Sequence, residues 1–531
     1  MLPSQNLIPI TLSFPFRGID TNTPSTMLVD GHSPQMSNVE LTKDHILQKR
    51  RGYAALASVI DPGETIQRIE EFVGESGIRH SLAFTTKHQW LYDESTDTAQ
   101  WRDISFSTAL TGTDEDFIDF AVGYDNTGKY CMITNGVDKP LWWNGGMETF
   151  EQIPIDIPSF VSCKTIAVFQ SRLFLGGLVS TGEQSVITYS AAGDFSDWLG
   201  SDTGTVLIAE SKGEILALRV LGTQLIVYSR NSIISVSYVG GSILYSFTLV
   251  TSDITLVSIG GIVSLDAYHI LLTDDKFYLF NGTPNLVKIS KELEFLLWTT
   301  KEKIRPFDVR NFYLKEEKTV YWVMPYSTDS YITLLLRINS DNSFDWIVFT
   351  YSDMAYDFSY YTPSRSLTYN CNGLAGISYD DIAAPGIEIP TGYNRQTYES
   401  AFNEELFSQV MFSSELNVMH LLDTDKDGGD NASSVWHSPD FTLPQAYQSQ
   451  AGRWLEIELE MQNNIRLSYS IDKGVTWSIE TQINTNNAAW SIQKYYLDVV
   501  AETLQFRIKY FGGAQWKLRW LRVWVIPEGA S

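Results

Sequence analysis

HILLTDDKFYLFNG (269–282) reads as one complete β-hairpin. An apolar run, ILL, meets a polar turn at Asp274-Asp275, and a second apolar run stops at Asn281-Gly282. In KFYLFNG, Phe277 and Leu279 point to one face and Tyr278 and Phe280 to the other, because strand side chains alternate. Both faces are apolar, so the strand suits a sheet covered on both sides; a one-sided antiparallel sheet would alternate more cleanly. The unit recurs along the chain. Its second runs are marked by Trp90 (HQWLYD), Leu141 (LWWNGG), Ile187 (VITYS), Ile234 (IISVSY), Phe277, Tyr321 (VYWVMP), Leu367 (LTYNC) and Val418 (NVMHLLD). The successive differences are 51, 46, 47, 43, 44, 46 and 51 residues. A period of roughly 40–50 residues built from hairpins is the signature of a β-propeller. The expectation is an all-β chain with seven or eight blades, since a terminal hairpin can belong to a neighbouring element. Such a ring is a scaffold and assigns no chemistry by itself.

Further hairpins turn at Thr86-Lys87-His88 in SLAFTTKHQWLYD (81–93), at Asn135-Gly136 in KYCMITNGVDKPLWW (129–143), at Arg230-Asn231 in QLIVYSRNSIISVSY (224–238) and at Glu316-Glu317 in NFYLKEEKTVYWVMP (311–325). One helix is expected over SKELEFLLWTTKEK (290–303). Ser290 can cap it, Glu292 and Glu294 suit its dipole, and Leu293, Leu296 and Leu297 share a face. Residues 378–402, with Pro385, Gly386, Pro390 and Gly392, read as a loop inserted between blades. Residues 1–50 read as an arm, broken by Pro3, Pro9, Pro15, Pro24 and Pro34. Its strand near NVEL (38–41) is expected to close the ring by completing the last blade. Composition shifts near residue 436 into RWLEIELEM, IRLSYSIDKGVTWSI, TLQFRIKYF and WKLRWLRVWVI. This predicts a C-terminal antiparallel β-sandwich over 436–531 and leaves 51–435 to the propeller.

The 531 residues leave room for two to four ordinary domains or one large repeat array with additions. A hydrophobic content of 44% and an aromatic content of 13% exclude a disordered chain. Acidic residues outnumber basic ones 63 to 38, for a net charge of −25. That balance argues against a clamp on nucleic acid, which needs clustered Lys and Arg. An acidic lumen would still let a duplex pass without adhering, because it repels phosphate. The run Asp114-Glu115-Asp116 and the loop 423–430 are candidates to face such a lumen. The one dense basic cluster, LQKRRGYAALA (47–57), reads as a solvated strand edge or as an anchor of the arm on an acidic neighbour or phosphate. Three cysteines, Cys131, Cys163 and Cys371, give neither a disulfide framework nor a CxxC pair, and read as buried thiols in a reducing environment. No stretch approaches the ~20 apolar residues of a membrane-spanning helix. MLPSQNLIPITLSF lacks the features of a signal peptide, which points to synthesis in a cytoplasm.

Asp423, Asp425, Asp427 and Gly428 resemble the start of a D-x-D-x-D-G calcium loop, but Ser434 stands where the bidentate Glu belongs. The simpler reading is an acidic linker. SYSIDKGVTWS (468–478) carries Ser470, Asp472, Gly474, Thr476 and Trp477 in the spacing of an Asp-box. The physics of that box is a hairpin turn, with Asp472 accepting backbone N–H groups and Trp477 packing beneath. Catalytic constellations are thin. None of the seven histidines forms H-x-x-x-H or H-E-x-x-H, and G-x-S-x-G, Walker A and strand-following G-x-G-x-x-G patterns are absent. A glycosidase-type carboxylate pair has no marker among 63 acidic residues. Trp142, Trp143, Trp198, Trp346 and Trp490 could line sugar sites, and read more simply as packing residues. No catalytic, cofactor-binding or metal residue is assigned, no cofactor is expected, and the chain reads as non-enzymatic.

The order of segments resembles the tail nozzle proteins of short-tailed bacteriophages, also termed tail tubular B-type or packaged-DNA-stabilisation proteins. FRGIDTNTPSTMLVDGHSPQMSNVEL (16–41) followed by LQKRRGY (47–53) is similar to the family's entry arm and first strand. SRLFLGGLVSTGEQSVITYSAAGDFSDW (171–198) and LIVYSRNSIISVSYVGG (225–241) resemble successive blades. KFYLFNGTPNLVKISKELEFLL (276–297) resembles a blade end and its helix, and LLDTDKDGGDNASSVWHSPDF (421–441) the exit into the final sandwich. The resemblance implies a structural virion protein, synthesised in the host cytoplasm and located in the tail. It would form a homohexameric ring below the portal–adaptor complex, touch tail fibres, spikes or a tail plug, and retain and guide double-stranded DNA without sequence-specific binding. Other readings are another phage tail or baseplate propeller, a carbohydrate-active propeller (glycosidase or lectin), and a generic repeat-based interaction module. A deep polar pocket at the propeller axis would mark the carbohydrate-active one.

Overall fold

The computed structural model describes residues 7–12, 16–28, 31–56, 60, 63–93, 100–178, 185–241, 243–274, 276–300, 305, 308–327, 330–353, 355–362, 409–414, 418–424, 427, 433–447, 450–483, 489–512 and 515–528. They form an all-β architecture with seven four-stranded sheets, each of the size of a propeller blade, and two six-stranded sheets. The innermost strands of the four-stranded sheets are Ile66–Val73 (sheet I), Asp119–Asp125 (II), Cys163–Phe169 (III), Ile215–Leu221 (IV), Ile262–Ser264 (V), Arg310–Leu314 (VI) and Ala355–Tyr361 (VII). Sheets I–VI are antiparallel meanders of consecutive strands. Sheet VII takes its fourth strand, Gly52–Ala55, from far upstream, paired antiparallel with Met419–Thr424.

The two-sided apolar strands place each sheet between two others. Phe72 and Phe84 of sheet I share a core with Cys131 and Trp143 of II. Met132 of II packs with Leu173 of III, and Phe174 of III with Leu218 and Ile234 of IV. Tyr228 of IV joins Phe280 of V, and Phe277 of V lies 4.8 Å from Trp322 of VI. Tyr321 of VI meets Phe358 of VII at 5.2 Å, and Met411 and Tyr361 of VII share a core with Ile69 and Tyr92 of I. Burial of one such side chain is worth about 1.5–3 kcal/mol, so the circuit of contacts is the main source of stability. Gly123 permits the approach of II to III, because a Cβ there would lie 2.5 Å from Val168 Cγ2.

The two six-stranded sheets combine both ends of the chain. One has the order Val39–Leu41, Leu47–Lys49, Lys517–Pro527, Gly452–Gln462, Ser491–Ala501, with Ile8–Leu12 also paired to Lys517–Pro527. The other runs Met36–Ser37, Ser433–His437, Thr503–Phe511, Ile465–Ser470, Thr481–Ile483, with Phe441–Thr442 also on Thr503–Phe511. Trp454, Leu459 and Val523 of the first and Leu467, Phe506 and Ile508 of the second lie in one apolar core, which continues into sheets V and VI through Phe16 and Trp346. The arm crosses that core backbone to backbone. Ile19 N–H donates to Trp346 O at 2.7 Å, and a Cβ on Gly18 would sit 2.3 Å from the same oxygen.

A buried arginine joins arm, ring and C-terminal sheets. Arg50, 1% exposed, binds Asp427 with both carboxylate oxygens (2.9 and 2.5 Å) and lies 4.3 Å over the Tyr351 ring. Its remaining N–H groups donate to Asn38 Oδ1, Arg51 O and Thr350 O. Asn38 in turn donates to Thr350 Oγ1 and Ser433 O. The basic cluster is therefore an anchor on an acidic neighbour rather than a solvated edge.

Several expectations are corrected. The strand near NVEL does not close the ring: Val39–Leu41 pairs within a six-stranded sheet, and Gly52–Ala55 completes sheet VII. The reason is that Arg50 and Lys49 are buried at the junction, so only the chain beyond them reaches the ring. The arm is thus a component of the C-terminal sheets rather than a separate element. The mark at Tyr321 falls on the second strand of sheet VI, Thr319–Ser327, whereas those at Trp90, Leu141, Ile187, Ile234 and Phe277 fall on third strands. A four-stranded meander holds three hairpins of similar polarity, and the period alone does not say which is marked. Leu367, Cys371 and the loop at 378–402 lie outside the described residues. The helix forms over Glu294–Thr300 after a 3-10 turn, with Leu293 and Leu297 buried, but Ser290 does not cap it; its Oγ accepts from Phe277 N–H at 3.0 Å.

Two outcomes follow for urea denaturation. Gly18→Ala forces the arm off Trp346 and should cost about 1–3 kcal/mol, the range of overpacking. Arg50→Ala leaves Asp427 buried without its partner and should cost about 3–5 kcal/mol.

Candidate functional site at the ring axis

The first strand of each four-stranded sheet has one edge without a ladder partner, so its polar groups need partners from the next sheet. Side chains supply them. Ile69 N–H of sheet I donates to Asp357 Oδ2 of VII (2.9 Å), Ile166 N–H of III to Asp119 Oδ2 of II (3.0 Å), and Leu218 N–H of IV to Thr165 Oγ1 of III (3.0 Å). Arg68 of I donates to Ile118 O (3.1 Å), Asn311 of VI to Gly260 O (2.7 Å), and Arg310 of VI to Gln67 Oε1 of I (3.0 Å).

These residues surround a cavity of about 380 Å³, lined by inner-strand residues of all seven four-stranded sheets. Its polar lining is Arg68, Glu70, Arg219, Ser264, Asn311 and Asp357; its aromatic lining is Phe117, Phe120, Phe312 and Phe358. Arg68 pairs with Glu70 (2.6 Å) and Arg219 with Asp119 (2.9 Å). Burial alone would raise the Asp119 carboxyl, but Arg219, Arg68 and the Thr165 hydroxyl outweigh it and hold the group below the usual carboxylate range. Asp357 behaves oppositely. Its burial, only partly offset by Arg68, the Ile69 N–H and Arg310, pushes the carboxyl up to about 7. The Arg310 guanidinium lies 4.7 Å from the Phe117 ring centre. Phe117 and Ile259 also border a second cavity of about 220 Å³, where Glu214 bridges Lys164 and Arg230.

Of the acidic residues considered for a lumen, Glu115 and Asp116 line this second cavity. Asp427 is committed to Arg50, and Asp425 and Gly428 lie outside the described residues. Trp143, Trp198 and Trp346 are buried, Trp142 stacks on Tyr130 at 4.5 Å, and Trp490 lies under Arg519 at 4.1 Å; none of them lines the axis. The Asp-box is a turn: Ser470 Oγ accepts from Gly474 N–H, Asp472 Oδ1 accepts from Thr476 N–H, Gly474 has φ +84°, and Trp477 packs on His437. Cys131 and Cys163 are buried free thiols, pushed up by that burial, Cys163 to about 12. Among the described residues no group of three His, Cys, Asp or Glu is placed to hold a metal, and no helix is long and apolar enough to cross a membrane. The axial charges were not legible as a site in the sequence, because they come from separate strands: Arg68 and Glu70 from one, Arg219 and Asp357 from two others. The available signal was a charged residue interrupting an otherwise apolar inner strand, as in ILALRVL and RNFYL.

No protein-family profile matches the chain, and no curated protein matches it. Similar solved structures include the WD40 β-propeller domain of Doa1, with 10% identity and a TM-score of 0.38 over 70% of this chain and 97% of that one. YCF48 bound to D1 peptide is 10% identical, with a TM-score of 0.37 over 73% and 98% of the two chains. PorZ, a surface component of the type-IX secretion system of Porphyromonas gingivalis, is 8% identical, with a TM-score of 0.38 over 82% and 46%.

Asp357 makes a pH dependence specific. The folded chain keeps this proton up to about pH 7, whereas a free carboxyl with the ordinary value of 3.8 releases it far lower. Between those limits the folded state binds more protons, so this group's contribution falls as pH rises from about 4 to 7. Asp357→Asn keeps an acceptor for Ile69 N–H and removes the titration. Its unfolding free energy relative to the parent, read from urea denaturation, should rise across that window, reaching a gain on the order of 2–4 kcal/mol above pH 7.

Proposed function

We propose that the protein is a structural virion component, the tail nozzle of a short-tailed bacteriophage, without enzymatic activity. In this reading the seven four-stranded sheets are the blades of a seven-bladed propeller, and the two six-stranded sheets are an antiparallel sandwich completed by the arm. The observation that carries the reading is the Arg50–Asp427 junction. It joins the two segments that bracket the nozzle-like order, LQKRRGY and the acidic exit 421–441, across most of the chain.

Charge and shape are consistent with a conduit. A net charge of −25 repels phosphate and would keep a duplex centred. The axial cavity of about 380 Å³ is of small-molecule size, so DNA would run between subunits and not through one propeller. A closed ring of copies needs two different matching patches per subunit. One available surface is the eleven-residue edge strand Ser491–Ala501, with Ile492, Tyr496 and Val500 exposed at 57%, 72% and 48%.

Negative-stain imaging of the purified chain, alone and with a phage portal–adaptor complex, tests the proposal. Sixfold rings or a tapered tube on the portal are expected. A chain that stays monomeric and ignores the portal complex would refute the nozzle reading.

A further inference from the structure

The axial cavity carries an inference that does not rest on the nozzle reading. Its polar lining residues are each bonded within the protein and keep hydrogen-bonding capacity beyond those bonds. Glu70 Oε1 receives Arg68, while Glu70 Oε2 receives no hydrogen bond among the described residues. Asn311 spends its Nδ2 on Gly260 O and Ile262 O, and its Oδ1 takes none. Arg219 binds Asp119 and Leu218 O through Nη1 and Nη2, which leaves its Nε–H. Asp357 receives Ile69 N–H on Oδ2 alone.

The residual valences are thus both acceptors and donors, and the arginines beside them already have carboxylate partners. A simple anion would compete with Glu70 and Asp119 for the guanidinium groups, and a cation would face Arg68 and Arg219. A hydroxyl donates and accepts at once, and needs no ion pair to break. The phenylalanines supply flat apolar surface beside these polar groups. The volume lies at the low end of small-molecule pockets, roughly 300–1,000 Å³. Access is from the ends of the inner strands, where Val220 is 39% exposed and Ser264 is exposed.

We propose that the axial cavity is a binding site for a neutral sugar of monosaccharide size, held by hydroxyl contacts to Glu70, Asn311, Arg219 and Asp357. The site binds without turnover: the carboxyl groups of Glu70 and Asp357 serve only as hydrogen-bonding groups of the wall.

Saturation-transfer NMR and titration calorimetry of the full chain test this, with glucose, galactose and N-acetylglucosamine as probes and inorganic phosphate and citrate as anionic controls. At least one hexose should bind saturably. Glu70→Gln removes a charged acceptor and should weaken it by about tenfold or more. Val220→Trp, at an exposed rim position, should block it while leaving the melting temperature unchanged. The proposal is overturned by absence of saturable hexose binding to the parent protein, by binding indifferent to Val220→Trp, or by phosphate or citrate binding in place of the hexoses.

Discussion

The structure depends on the pairing of Arg50 with Asp427. Two opposite charges are removed from water at a point where arm, ring and C-terminal sheets meet. Such a pair gives little net stability over an apolar substitute, but it is costly to break and it is directional. The planar guanidinium fixes Asn38, Thr350, Tyr351 and Asp427 around itself. That geometry sets where the arm ends and where Gly52–Ala55 enters sheet VII. A purely apolar junction could slide; this one has a single register.

The ring follows a related constraint. Each first strand exposes an unpaired edge toward the axis, and burial there demands partners. Aspartate, threonine, asparagine and arginine side chains provide them, and three of these residues, Arg68, Asn311 and Asp357, also line its centre. Stability and a potential binding surface thereby come from the same residues. Asp357 shows the tension: it stitches VII to I through Ile69, yet its burial makes its own charge unfavourable near neutrality.

Much of the fold was legible because its signals are local. The two-sided runs around Phe277, Ile234 and Ile187, the turn at Asn135-Gly136 and the Asp-box at Ser470–Trp477 depend on residues close in sequence, and each forms as read. The misreadings involve long range. Ser290 has the chemistry of a helix cap, but Phe277 N–H claims its hydroxyl. NVEL has the pattern of a blade strand, but pairs instead within a six-stranded sheet. The axial site was not legible as a site, since its polar residues come from separate strands: Arg68 and Glu70 from one, and Arg219, Asn311 and Asp357 from three others.

By itself, the sequence determined the strand class, the hairpin spacing and the acidic balance, because these are set by side-chain polarity at fixed spacing and by composition. The tertiary structure decided which strand closes the ring, which of the basic residues are buried, and which charges meet at the axis. Those outcomes depend on pairing and desolvation between segments hundreds of residues apart, and no local pattern encodes the partner.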